Sequence, residues 1–470
     1  MAQTFFFYDL ETSGLNARQD RIMQFAGQRT DMQLRPIGDP VNLLVQLNDD
    51  TLPSPGALMV TGISPQKTIE EGYTEAEFAR IVTEELFTPD TIIVGFNSVR
   101  FDDEFMRHLL WRNFHDPYEW AWKDGRSRWD MLDVVRMTRA LRPEGIEWPV
   151  DDNGEPTNRL ELITKANDIS HENAHDALSD VNALIAVAKL IQDKQPQLFA
   201  YLLKMRDKKA VQALVNVEDK KPFVYTSGRY DKEFAKTTVA FPLSTAPHGN
   251  VLVYDLRHDP APFLELSVDE LAARLFASWE ERQAEDFQPV PVKQLQYNRC
   301  PAVAPVGVLE QADGWEKIGL DAATVKKHQN ILLAHPDFAE RLRTAFEGRA
   351  GFASSTDPEA QLYDSFVPDG DKVRIAAVRS ADAKALADFH PEFQDERLPG
   401  LLLHYKARNF PRSLTESELA EWEAWRTERL KGQLPGFVQA LRTLAEQGAD
   451  EFMLQELQLW LERVMPDGIA

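Results

Sequence analysis

The stretch "TFFFYDLETSG", Thr4 to Gly14, sets the first constraint on the fold, because a short apolar and aromatic run is closed at its far end by two acids, Asp9 and Glu11. Such a run predicts a buried strand. Side chains alternate along a strand, so residues two apart share a face, and Asp9 and Glu11 are expected to project together from the strand's C-terminal end. One face with two carboxylates is a shelf for a cation.

"DRIMQFAGQRTD" and "PVNLLVQLN" follow as further strands bounded by turn residues, which predicts an antiparallel meander. "TEAEFARIVTEELF" has helical spacing, with Thr74 as N-cap and Glu77 three residues on, the pattern of a capping box. "DTIIVGFN" reads as a buried strand, and "DEFMRHLLWRNF", "RWDMLDVVRMTRALR" and "RLELITKAN" read as helices. Ala177, Leu178, Val181, Leu184, Ile185, Ala188 and Ile191 mark one long amphipathic helix. Strands first, then helices alternating with strands, predict an α/β arrangement with a mixed sheet covered by helices.

A chain of 470 residues exceeds what one hydrophobic core usually serves, so two or three domains are expected. Past about Gln195 the texture changes, and "TTVAFPL", "NVLVYDL" and "APFLEL" read as short strands of a small barrel or sheet. After "EGRAGFASSTDPEAQ" it changes again, and "TESELAEWEAWRTERL", "GFVQALRTLAEQ" and "EFMLQELQLWLERV" have helical period.

The single cysteine, Cys300, excludes an intrachain disulfide framework and any multi-cysteine metal site, and a reducing cytoplasm is the expected location. The N-terminus lacks a basic n-region, so no signal peptide is expected, and no run approaches the length of a membrane span. A formal net charge of −23 argues on its face against a polyanionic partner. A carboxylate cluster that binds cations contributes part of that charge, however, and Tyr201 to Ala240 holds nine Lys/Arg against five Asp/Glu. A local basic surface is enough for nucleic acid.

The segment "HENAHDALSD", His171 to Asp180, carries two incompatible signals. Its first half spells H-E-x-x-H, which in zinc peptidases needs a formed helix and a third ligand downstream. Asn, Asp and Ser crowd the approach, helical periodicity starts only at Ala177, and Leu178 and Val181 stand where the elongated motif has glycine and histidine. The zinc reading fails. The second signal pairs His175 and Asp180 with Asp9, Glu11 and Asp102, the last lying just after a strand in "VGFNSVRFDDEF". Four acids from three segments are hard oxygen ligands for Mg²⁺ or Mn²⁺, and two such ions can hold the attacking and leaving oxygens of a phosphoryl displacement while His175 takes the proton from water. Asp103 could cap its helix as readily as Asp102, and Asp180 could simply occupy a solvated helix face.

"DLET", "NSVRFDDE" and "HDALSD", in that order, resemble the DEDD exonuclease superfamily in its histidine-containing branch, over about the first 190 residues. "VTGISPQ", "SRWDMLDVVRMTRALRPEGIEWP", "NAHDALSDVNALIAVAKLIQ" and, far downstream, "YKARNFP" are similar to the bacterial exonuclease I family. That resemblance implies a ribonuclease H-like exonuclease domain over residues 4–192, an SH3-like barrel domain over 196–349 and a helical C-terminal domain over 352–470. It implies degradation of single-stranded DNA from the 3′ end to mononucleotides in DNA repair and recombination. Asp9, Glu11, Asp102 and Asp180 would hold two Mg²⁺ ions, with Mn²⁺ possible, His175 would be the general base, and Glu11 and Arg159 would contact substrate.

"HDPYEWAW" places Tyr118, Trp120 and Trp122 at alternate positions, and if extended it presents an aromatic face on which bases could stack. Arg107, Arg136 and Arg159 lie near the acidic motifs as phosphate partners. Positions like Arg107, Tyr118, Trp122 and Arg136 contact nucleic acid in the family. Arg142 and Tyr201 resemble part of the surface on which that family docks the acidic C-terminal tail of single-stranded DNA-binding protein. A monomer without membrane attachment is expected. Two other readings stay open, an RNA-trimming or proofreading nuclease and a catalytically silent single-strand-binding scaffold.

Overall fold

The aromatic run becomes β1 (Thr4–Thr12) in a computed structural model that describes residues 3–170, 176–349, 351 and 355–466. It pairs antiparallel with β2 (Ile22–Thr30), which pairs antiparallel with β3 (Val41–Leu44), so the meander is present. On its other side β1 pairs in parallel with β4 (Thr91–Gly95). With β5 (Ser127–Asp130) the order is β3-β2-β1-β4-β5, a mixed sheet.

Alternation along β1 divides its side chains. Phe6, Tyr8 and Leu10 enter an apolar cluster with Phe25, Phe78, Phe87 and Trp120, and each large side chain removed from water contributes about 1.5–3 kcal/mol. Phe5 and Phe7 lie on the opposite face, their rings 5.8 Å apart, and that face continues as Asp9 and Glu11. Gly27 on β2 is required by packing, since a Cβ there would stand 2.4 Å from the Phe6 ring. The capping box forms as expected: Thr74 Oγ1 accepts from the Glu77 amide at 3.3 Å, and the Glu77 carboxylate accepts from the Thr74 amide at 3.1 Å.

The chain forms two compact units, one built from residues 1–128, 170–185 and 353–470 and the other from 129–169 and 186–352. In the first, the C-terminal helices Glu416–Glu446 and Glu451–Val464 bury Leu430, Phe437, Leu457 and Trp460 against Met23, Leu47, Leu52 and Leu58. Beside this apolar contact lies a buried ionic cluster. Arg21 reaches Asp50 at 3.2 Å and Glu359 at 3.0 Å, while Arg408 and Arg429 reach Asp50 at 2.9 and 3.1 Å. The second unit carries the antiparallel sheet β10-β6-β7-β8-β9, formed by β6 (Phe223–Thr226), β7 (Thr237–Ala246), β8 (Asn250–Asp255), β9 (Val292–Leu295) and β10 (Ala302–Pro305).

Four local expectations are corrected. The helix expected from "RWDML" onward starts only at Met131; the residues before it are β5, and Asp130 caps the helix by accepting from the Leu132 amide. "APFLEL" is a 3₁₀ turn, Ala261–Phe263, rather than a strand; Pro260 and Pro262 carry no N–H and cannot donate to a ladder. "HDPYEWAW" is not extended. It curls through a 3₁₀ turn at Glu119–Ala121, which sends Trp120 into the core and leaves Trp122 63% exposed. The two helices expected around Pro435 are one, held on both sides of the proline by buried Leu430 and Phe437. Among the described residues, no helix is long and apolar enough to cross a membrane.

Candidate metal centre

Parallel pairing of β1 with β4 stops at Phe7 and Val94, so Asp9 and Glu11 lie beyond it and pair only with β2. After β4 the chain turns sharply. Asn97 takes a left-handed conformation, φ 63°, and Gly95 is tight enough that a Cβ would stand 2.5 Å from that of Ser98. This turn starts the helix Asp102–Arg112, whose first residue is buried. The fourth acid comes from the helix Ala177–Lys194, where Asp180 stands in the first turn. Asp9, Glu11 and Asp180 each offer a carboxylate oxygen, and these oxygens lie within 4.8 Å of one another.

Asp102, the expected metal ligand, and Asp103, its equal as a capping candidate, have different surroundings in the structure. Asp103 accepts a hydrogen bond from Tyr8 Oη at 2.7 Å and forms a buried ion pair with Arg128. Its charge is neutralised inside the apolar side of the sheet. Asp102 acts electrostatically on the other acids. Burial, then the charges of Asp102, Asp180 and Glu11, hold the Asp9 carboxyl well above its ordinary range. Burial, followed by Asp180, Asp102 and Asp176, pushes Glu11 up to about 8.

Four carboxylates crowded in this way repel one another, and a divalent cation is the counter-charge that relieves the repulsion. Half-buried carboxylate oxygens are the donors that Mg²⁺ and Mn²⁺ prefer, so the residues fit the ions expected from the sequence. His175, with the whole H-E-x-x-H stretch, lies outside the described residues.

The other candidates are placed as follows. Arg107 is buried, paired to Glu104 at 2.8 Å, with its guanidinium 5.7 Å from the Tyr118 ring centre. Trp122 is open to solvent. In the second unit, Arg136 pairs with Asp133 at 2.7 Å and packs on Gly228, where a Cβ would stand 2.8 Å from its Nη1. Arg159 is largely exposed and ion-paired to Glu161. Arg142 donates to the Val308 carbonyl and to Gln311, both at 3.2 Å, and Tyr201 packs on the core of the antiparallel sheet, its hydroxyl pushed up to about 12 by burial.

Sequence reasoning missed three participants. Asp176 acts electrostatically on Glu11, and its position one turn before Asp180 was the available signal. Tyr363 and Phe366 come from a distant segment. Tyr363 hydrogen-bonds both Glu104 and Arg107, and Phe366, 85% exposed, lies 6.3 Å from Tyr118 between ring centres. Nothing local in "AQLYDSFVPDG" announces that contact.

Comparison with known proteins places these elements. A family model described as Exonuclease matches residues 6–188, one described as Exonuclease I SH3-like domain matches 206–348, and one described as Exonuclease I C-terminal domain matches 356–464. The mixed sheet falls in the first segment, the antiparallel sheet in the second and the long helices in the third, the three textures expected from sequence. Exodeoxyribonuclease I of Haemophilus influenzae is 41% identical over 95% of each chain. Escherichia coli exonuclease I in complex with a dA16 oligonucleotide superposes with a TM-score of 0.94 at 38% identity, covering 98% of this chain and all of that one. The zinc-bound form of the E. coli enzyme with single-stranded DNA gives 0.93 at 38% identity, covering 99% of this chain and all of that one.

Proposed function

Since the chain belongs to the exodeoxyribonuclease I family, we propose that it is an exodeoxyribonuclease that degrades single-stranded DNA in the 3′ to 5′ direction to 5′-mononucleotides, in DNA repair and recombination. The observation that carries this reading is the convergence of Asp9, Glu11 and Asp180 to within 4.8 Å, with Asp102 acting on the same group. Asp9, Glu11, Asp102 and Asp180 would hold two divalent ions, Mg²⁺ or Mn²⁺. Bound there, such ions supply Lewis-acid activation of water and charge neutralisation at the scissile phosphate. The chain's own residues orient the reacting groups. Glu11 would also contact the terminal nucleotide, and His175 would take the proton of the attacking water. Asp103 does none of this, because Arg128 and Tyr8 occupy it.

The strand itself is held by Arg107, Tyr118, Trp122 and Arg136, with Arg159 on a phosphate. Tyr363 and Phe366 extend the aromatic group around Tyr118. Stacking of a base on an exposed ring contributes about 1–3 kcal/mol whatever the base, which suits an enzyme that must accept any sequence. Trp122→Ala and Phe366→Ala are each expected to weaken binding of an oligodeoxynucleotide by that amount, read by fluorescence anisotropy in EDTA. The residues fall into three domains over 4–192, 196–349 and 352–470, and the chain acts as a monomer in the cytoplasm. Arg142 and Tyr201 form part of the surface for the acidic tail of single-stranded DNA-binding protein.

The test is degradation of a single strand labelled at its 3′ or its 5′ end, with Mg²⁺ and with EDTA. Immediate release of label as mononucleotide from the 3′-labelled strand alone, abolished by EDTA, is expected. Equal rates on RNA would favour an RNA-trimming enzyme, and binding without turnover under any divalent metal would leave only a scaffold.

A further inference from the structure

A cavity of about 550 Å³, within the range of small-molecule sites, lies in the first compact unit and is lined by none of the four clustered acids. The helix Glu75–Ile81 and its π-helical continuation Val82–Leu86 line one side, and the helices Asp369–Ser380 and Leu398–Asn409 contribute Arg379 and Tyr405.

Its lining carries five carboxylates, Glu77, Glu84, Asp116, Glu119 and Asp124, and four cations, Arg80, Lys123, Arg126 and Arg379. Arg80 pairs with Glu84 and Glu85, Lys123 with Glu119, and Arg126 with Asp124. Glu77 is engaged in its capping box, and Asp116 accepts from the amides of Tyr118 and Glu119. Arg379 donates to His115 Nδ1 at 3.3 Å, a neutral partner, and meets no carboxylate among the described residues. Because a guanidinium can only donate, Nδ1 is the acceptor and His115 carries its proton on Nε2. Burial, then Arg379, hold His115 down at about 3, so the ring stays neutral and leaves Arg379 uncompensated.

Tyr405 supplies the third polar group. It is only 4% exposed, it lines the cavity, and its hydroxyl makes no hydrogen bond with a described residue. Phe410, 5.6 Å from Tyr405 between ring centres, and Trp120 add flat apolar wall. We propose that this cavity binds a small oxyanion attached to a planar ring, a phosphate ester or a carboxylate, with Arg379 pairing the anion, Tyr405 and His115 donating to it, and the aromatic side chains covering the ring. The site is independent of the nuclease reading.

Isothermal titration of the full chain in EDTA with deoxyadenosine monophosphate, benzoate and inorganic phosphate tests it. Binding of one or both ring-bearing anions is expected, with inorganic phosphate weaker. Arg379→Gln, a change at an exposed side chain, is expected to weaken binding at least tenfold, and Tyr405→Phe several-fold. Three results would overturn the assignment: no binding of any probe to the unaltered chain, equal binding by Arg379→Gln, or binding lost in Asp9→Ala but kept in Arg379→Gln. The first two would leave the degradation assay untouched.

Discussion

Asp9→Ala and Asp180→Ala are each expected to reduce degradation of single-stranded DNA by about a thousandfold or more. Metal-borne stabilisation of a phosphoryl transition state amounts to several kcal/mol, and each 1.36 kcal/mol is a factor of ten. The two carboxylates lie together with Glu11 within 4.8 Å, so removing either leaves too few oxygens to position a pair of cations. The fold should not suffer, because each substitution relieves repulsion among half-buried acids that burial and mutual charge already disfavour. Thermal unfolding of both variants should occur at or above the temperature of the unaltered chain. Asp103→Asn is the informative contrast. It breaks the buried pair with Arg128 and is expected to lower stability while sparing much of the activity. Turnover within tenfold of normal in both Asp9→Ala and Asp180→Ala would remove the acidic cluster from the chemistry.

Glu359→Ala is expected to cost about 3–5 kcal/mol of stability. Glu359 faces Arg21 and Arg408 and accepts from His404 Nδ1 at 2.8 Å, all fully or almost fully buried. Removing it leaves Arg21 and Arg408 sharing Asp50, which Arg429 also reaches. An exposed pair serves as the control: Arg35→Ala, which breaks a contact with Asp31 at the surface, should cost less than about 1 kcal/mol. Urea unfolding followed by circular dichroism would give both values, and a cost for Glu359→Ala as small as that for Arg35→Ala would show that the cluster is not a structural tie.

The same cluster gives a pH dependence of definite sign. Burial alone would raise Glu359, but Arg408 and Arg21 outweigh it and hold the carboxyl well below its ordinary range. Asp50 is lowered in the same way, burial being overcome by Arg408, Arg21 and Arg429. A carboxylate depressed in the folded state adds stability that is fully present above its unfolded value, near 4, and is lost as the pH falls through the folded one. The unaltered chain should therefore lose stability steadily as the solution is acidified below about pH 4, and Glu359→Ala should show a shallower slope over that range.

Much of this was legible along the chain because local rules carry it. The period of two in "FFFYDLE" places Asp9 and Glu11 on one face whatever else the protein does. Thr74 and Glu77 announce a capping box that forms as spelled, and the two changes of texture separate the three matched segments. Where expectation failed, a local rule met a competing one. Alternation at Tyr118, Trp120 and Trp122 suggested an extended segment, but burying Trp120 against Phe87, with ring centres 5.6 Å apart, favours a turn that strands Trp122 outside.

By itself, then, the sequence determined the inventory: a strand ending in paired acids, two more acids at helix starts, and aromatic and basic side chains near them. Its motifs named Asp102 as a metal ligand, but spacing gave the adjacent Asp103, in the same first turn, no partner of its own. Tertiary structure supplied that partner by bringing Tyr8 and Arg128 to Asp103, while Asp102 acts electrostatically on Asp9 and Glu11. It also brought Tyr363, Phe366 and Glu359 to the first segment across more than two hundred residues of chain. Contacts at that separation depend on packing geometry and on burying opposite charges together, neither of which leaves a trace in residue spacing.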